Sequence, residues 1–171
     1  ASLLLHTLVM AGTALGKNPH TLVESTRHGT NLYGLIIGAT SKARKGSAEG
    51  RIKHVMGLAD PTLIRRIRSG LSTAEGLINS VSDGEENREG ELVGAVLDKR
   101  LLVIESEVSS ALKKGNARES TLTEKLRDAW DGKDLETMTR NSPMYATSPH
   151  ISLLGHSSEK ELTELITDTQ M

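Results

Sequence analysis

The chain has 171 residues, 21 Lys and Arg against 22 Asp and Glu, a formal net charge of −1 and no cysteine. That length supports one domain with a core of its own, and a charged fraction of 25% beside 36% apolar residues excludes a wholly disordered chain. Near-neutral charge gives no global electrostatic case for nucleic-acid binding, the missing thiols exclude a disulfide framework and a thiolate metal site, and 2% aromatics argue against a base-stacking platform.

In chain order, SLLLHTLVMAGTAL (2–15) reads as a packing helix that stops at Gly16, with Pro19 beyond; it is too short, and too broken by His6, Thr7 and Gly12, to cross a bilayer. HTLVE (20–24) is a short strand and RHGTN (27–31) a turn. LYGLII (32–37) is a run of strand formers ending at Gly38, which predicts a buried strand. The basic, small-residue segment GATSKARKGS (38–47) follows, and then a helix from about Ala48 to Leu58. Asp60-Pro61 has the chemistry of a helix start, with the helix predicted to reach Ser69 and end at Gly70.

A helix over 71–82 is capped by Ser72 or Thr73 and shows Leu77, Ile78 and Val81 at helical spacing. Residues 83–95 are acidic and glycine-containing, an exposed loop. KRLLVIESE (99–107) is a second buried strand with an acidic exit. Helices over 108–114 and 120–130, a turn at 131–134 and a third strand over 151–156 come next. The last helix, 157–166, opens with Ser158 and Glu161 in capping-box spacing. Strand–loop–helix units in series predict an α/β fold: a mostly parallel sheet covered by helices. The absence of Met at the start and the abrupt end read as a single domain cut from a longer protein, and the lack of cysteine fits a reducing, cytoplasmic interior.

The arrangement that carries chemistry is strand, Gly38, basic loop, helix. Backbone N–H groups and the positive end of a helix dipole suit a polyphosphate, and small residues let the backbone approach it. Lys42, Arg44 and Lys45 supply charge, and the Ser47 hydroxyl suits Mg2+. The common pattern G-x-x-x-x-G-K-[ST] is modified here. Either Lys45 is the phosphate lysine in a loop one residue longer, or Arg44 takes its place; Lys45 with Ser47 is preferred because a hydroxyl then falls in the first helical turn. The plain alternative is a solvated basic loop.

A phosphate loop needs a carboxylate at a neighbouring strand end for Mg2+ and a base for the attacking water. Glu105 is assigned to Mg2+ and Glu107 to the water, on one side of the strand by alternation; the plain alternative is two exposed acids opening a helix. Glu75 is a further candidate base. His156, at the end of the third strand, is a candidate sensor of the γ-phosphate, with an ordinary exposed histidine as its alternative. The six histidines show no metal-ligand spacing such as H-E-x-x-H, so spacing assigns no zinc site.

GKNPH (16–20), RHGTNLYGLIIGATSKARKGS (27–47), SGLSTAEGLI (69–78), DKRLLVIESE (98–107), LRDAWDG (126–132) and NSPMYATSPHISLLGH (141–156) together resemble the DUF3987-type P-loop ATPases of bacterial, phage and mobile-element proteins. The resemblance spans nearly the whole chain and is most specific at TSKARKGS. It implies a three-layer, RecA-like P-loop NTPase core, found beside primase–polymerase and replication modules. Gly38, Lys45, Gly46 and Ser47 match its phosphate loop, Glu105 its acidic strand end, 74–78 its SGEGLI-like segment, and Gly155-His156 its third-strand motif. Family members often carry Thr-Ser-Trp after the loop glycine, where this chain has Ser47-Ala48-Glu49. The resemblance further implies ATP and Mg2+ as ligands, helicase-like hydrolysis, a ring of subunits and single- or double-stranded DNA as a partner; no membrane partner is expected, since 2–15 is too short and broken to span a bilayer. NSPMYATSP, after Arg140, is either a mobile loop facing DNA or an ordinary surface connection. A nucleotide-binding assembly module without hydrolysis is the alternative function.

Overall fold

A computed structural model describes residues 1–38, 45–115, 121–139 and 143–169. Helix α1, Ser2–Leu15, ends as expected at Gly16, whose φ of 72° lies in the left-handed region that glycine adopts readily. Strands β1, His20–Val23, and β2, Thr26–Gly29, form an antiparallel pair, so most of the predicted turn at 27–31 is strand. Strand β3, Tyr33–Gly38, leads toward helix α2, Lys45–Ala59, which begins three residues before the predicted Ala48.

Helix α3, Pro61–Ile64, is capped by Asp60, whose Oδ1 accepts the N–H groups of Thr62 and Leu63, each at 3.1 Å. It stops well short of Ser69. Ile67–Arg68 is strand β4, paired with Leu102 and Val103, because tertiary strand pairing overrides the local helical pattern of LIRRI. Helix α4, Ala74–Asn79, is shorter than expected and uses the Thr73 cap, which accepts the Gly76 N–H. The exposed stretch that follows contains a small antiparallel pair, β5 Glu85–Glu86 with β6 Leu92–Val93.

Strand β7, Arg100–Glu105, is followed by helices α5, Val108–Gly115, and α6, Leu122–Trp130. Strands β8, Leu135–Thr137, and β9, Met144–Ala146, pair antiparallel. The middle of NSPMYATSP is therefore paired strand with Ala146 buried, not a mobile loop; Arg140, Asn141 and Ser142 lie outside the described residues. Strand β10, His150–Ser158, runs two residues past the predicted end and delivers the capping box of helix α7, Glu159–Thr169. There the Ser158 N–H donates to Glu161 Oε2 at 2.9 Å, and the Glu161 N–H donates to Ser158 Oγ at 3.2 Å.

Among the described residues the main sheet has four strands in the order β3-β10-β7-β4, every neighbour parallel, which confirms the α/β class and the parallel sheet. Alternation along β7 and β10 sends Leu101, Val103, Ile151 and Leu153 into one core with α4 and α6. It sends Leu102, Ile104 and Leu154 into a second core with Val9 and Met10 of α1 and Ile52 and Met56 of α2. The sheet is thus sandwiched between helices. β3 is an edge strand with Leu35 and Ile37 exposed, contrary to the fully buried strand predicted for 32–37. Its apolar run matches that of a central strand, and what differs is that among the described residues it has a neighbour on one side only.

α1 runs antiparallel to the strands. Its last turn meets the sheet's amino-terminal rim, where Arg100 at the head of β7 donates to Ala14 O at 3.0 Å, Asp60 Oδ2 at 2.6 Å and Asp98 Oδ2 at 2.8 Å. The buried His150 donates from Nε2 to Gly12 O at 2.9 Å on the same rim. Gly12 itself is indispensable to this crossing, since a Cβ there would sit 2.1 Å from Thr30 O. Among the described residues no helix is long and apolar enough to cross a membrane.

Candidate functional site

An open parallel sheet binds ligands outside the carboxyl ends of its strands, where adjacent connections depart to opposite faces. Here β3 hands over toward α2 on the α1 face. β7 hands over to α5 on the other face, where Gly155 of β10 lies so close to Val108 that a Cβ would come within 2.7 Å of it. The carboxyl rim carries Gly38, Ser158, Glu105 and Arg68 at the ends of β3, β10, β7 and β4. Gly38, the first residue of the predicted phosphate loop, and the acidic strand end therefore lie on one rim. They are not on adjacent strands as expected: β10 stands between β3 and β7, a separation of about 10 Å at the usual strand spacing.

Of the phosphate-loop residues, Gly38 closes β3 opposite Ser158. Lys42 and Arg44 lie outside the described residues. Lys45, Gly46 and Ser47 form the first turn of α2, where the leading N–H groups have no acceptor within the helix. Gly46 and Ser47 are exposed, and a Cβ on Gly46 would meet nothing within 4 Å among the described residues.

Glu105 is buried, not exposed, and its Oε1 accepts the Leu71 N–H at 2.6 Å. Its register partner is Gly155, on the α4 side of the sheet, whereas Ser47 belongs to the helix on the opposite side. The carboxylate therefore already holds the segment that leads into α4. Glu107 falls in the turn after β7, so strand alternation does not place it beside Glu105; it is exposed, and its carbonyl accepts the Ser110 N–H at 3.1 Å. Glu75 is exposed in the first turn of α4, where a negative charge favours the helix dipole. His156 is buried, two residues before the end of β10, with its ring edge-on to His6 of α1 at a centroid distance of 5.5 Å. Neither the predicted strand-end position nor the exposed alternative describes it.

A polar cleft of about 270 Å³ opens at the same rim between α2 and the ends of β4 and β7, lined by Glu49, Lys53, Arg68, Ser69 and Ser106 over Ile67 and Ile104. Lys53 pairs with Glu49 at 2.5 Å. Sequence reasoning missed this group. The Glu49–Lys53 spacing of four was a readable signal, but reading 61–69 as helix hid the strand end that brings in Arg68 and Ser69.

The resolved titration shifts gather at the opposite rim. Asp60 is held at about 2, first by the Thr62 hydroxyl and also by Arg100, and Asp98 is lowered chiefly by its hydrogen bond from Arg100. Burial lowers His150. The amino-terminal rim is thus an ion-pair knot, while the carboxyl rim presents open hydroxyls, a helix start and cations suited to an anion. Comparison with known protein families, curated proteins and solved structures finds no match.

Proposed function

We propose that this chain is the ATP-binding, Mg2+-dependent ATPase domain of a RecA-like, helicase-type DNA replication protein. The observation that carries the reading is the first turn of α2. Lys45, Gly46 and Ser47 open the first described element after β3, a strand of a parallel sheet whose carboxyl rim also carries Glu105 at the end of β7. In this reading the loop from Gly38 to Ser47, with Lys42, Arg44 and Lys45, surrounds the phosphates. The helix N–H groups and dipole bind them, and Ser47 holds Mg2+. Glu105, at the end of β7 on the same rim, would supply the acidic group for the metal, and Glu107 or Glu75 would activate the attacking water. Any signal from the γ-phosphate to His156 passes along β10, because Ser157 and Ser158 occupy the strand end. Lys53 and Arg68 add positive charge beside the site. DNA and further copies in a ring are the proposed partners.

The measurement is Mg2+-dependent ATP turnover by the intact protein, with and without single-stranded DNA. Lys45→Ala and Glu105→Gln are each expected to lower kcat by at least about 100-fold, the size of effect typical of losing an electrostatic stabiliser. Gln retains an acceptor for the Leu71 N–H, so the second variant separates charge from structure. Turnover unchanged in both would overturn the assignment.

A second reading, nucleotide binding without hydrolysis as an assembly module, is favoured by the commitment of the Glu105 carboxylate to Leu71. Binding of an ATP analogue with no turnover in the intact protein distinguishes it.

A further inference from the structure

Three elements converge on the α1 face of the carboxyl rim. α1 brings in His6, one turn from its start; α2 brings in Glu49, one turn from its own; β10 brings in His156. One ligand atom from each lies within 4.8 Å of the other two. We propose that His6, Glu49 and His156 bind a divalent first-row transition ion of the Zn2+ class. This site shares His156 with the proposed function and lies beside the first turn of α2, but needs no nucleotide.

The independent observation is His6. Its ring is fully buried, and Nδ1 lies 2.8 Å from Ser2 O. A carbonyl oxygen only accepts, so Nδ1 carries the proton and Nε2 of the neutral ring carries the lone pair. That Nε2 is buried with no hydrogen-bond partner among the described residues. Metal-bound histidines show the same pattern, one nitrogen donating to a carbonyl and the other facing the ion. The rings of His6 and His156 stand at 88° with centroids 5.5 Å apart. Two imidazoles on one tetrahedral ion, bound at about 2.0–2.1 Å, have centroids roughly 5 Å apart. Filling the site draws the donor atoms inward by about 1 Å to reach those bond lengths.

Two imidazoles and one carboxylate select Zn2+, Co2+, Ni2+ or Fe2+ over Mg2+ and Ca2+, which prefer oxygen ligands throughout. Lys53 pairs with Oε1 of Glu49 and leaves the second carboxylate oxygen for the ion. Three protein ligands leave the fourth position for water. The ion would pin the start of α1 to α2 and to a central strand, beside the cleft lined by Glu49 and Lys53.

The test uses the intact protein, stripped with chelator and titrated with Co2+ in the absence of nucleotide. Expected are one equivalent bound with the visible absorption of a tetrahedral nitrogen–oxygen site, displacement by one equivalent of Zn2+, and a rise in Tm with Zn2+. His6→Gln and Glu49→Gln should each weaken binding by more than about tenfold. His54→Gln, on the exposed face of α2, should leave it unchanged. Glu49→Gln is the safer variant for folding, since this side chain is only partly buried. No stoichiometric Co2+ binding, or binding equally tight in Glu49→Gln, would overturn the proposal. Neither outcome touches ATP turnover, so the two proposals stand or fall separately.

Discussion

Asp60 does two jobs with one carboxylate. Oδ1 caps α3 through Thr62 and Leu63, and Oδ2 receives Arg100, which also reaches the end of α1. Asp60→Ala removes the cap and leaves Arg100 short of one partner, so we expect a stability loss of about 1–2 kcal/mol in chemical denaturation. The pH dependence follows from the lowered pKa. Asp60 sits at about 2 against an ordinary value of 3.8, so its contribution is complete above the ordinary value and is lost as pH falls through 2. Acid unfolding of the wild type between pH 4 and 2 should be less steep in Asp60→Ala. Gly155 makes a steric counterpart. A methyl there would meet the Val108 side chain at 2.7 Å, so Gly155→Ala should force α5 away from β10 and lower stability by about 1–3 kcal/mol, read as a lower Tm. The caps at Asp60 and Ser158 were legible in the sequence, because capping chemistry acts within three residues. The metal-ligand candidates were not. His6, Glu49 and His156 are brought together by three separate elements, and no spacing rule such as H-E-x-x-H reaches that far.

Elements were legible in proportion to how far their own residues determine them. α1, α6 and α7 carry helical spacing, α1 with a glycine stop and α7 with a capping box, while β7 carries an uninterrupted aliphatic run and β10 an aliphatic run broken only at Ser152. β4, β8 and β9 have two or three residues each, too few for any period to show, and exist because a partner strand lies alongside. Burial of β3 was misjudged for the same reason: Leu35 and Ile37 look like core residues and are exposed by position. Position has a measurable effect. β7 and β10 have hydrogen-bonded neighbours on both sides, and β3 among the described residues on one. Amide hydrogen exchange in β3 should therefore exceed that in β7 and β10, and slow when ATP with Mg2+ is added. Equal protection in all three strands would contradict the edge assignment.

The parallel sheet followed from the series of strand–loop–helix units, whereas the strand order did not. From β3 the chain crosses three places to β4 and then returns through β7 to β10, and right-handed crossovers in opposite directions put helices on both faces. That return path inserts β10 between the phosphate-loop candidate and Glu105, a relation no local pattern encodes. It also sets the two rims apart in character, with the Arg100 knot and the His150–Gly12 hydrogen bond at one end and the cleft between α2 and β4 at the other.

Because α1 is fastened at its tail to Asp60 and Asp98 through Arg100, and touches His156 near its head, it has the geometry of a lever with its pivot at the knot. A small tilt about Ala14 would carry the His6 end across the sheet by an amount that grows with the length of the helix. Whatever occupies the head end would then set the angle at which the whole helix rests.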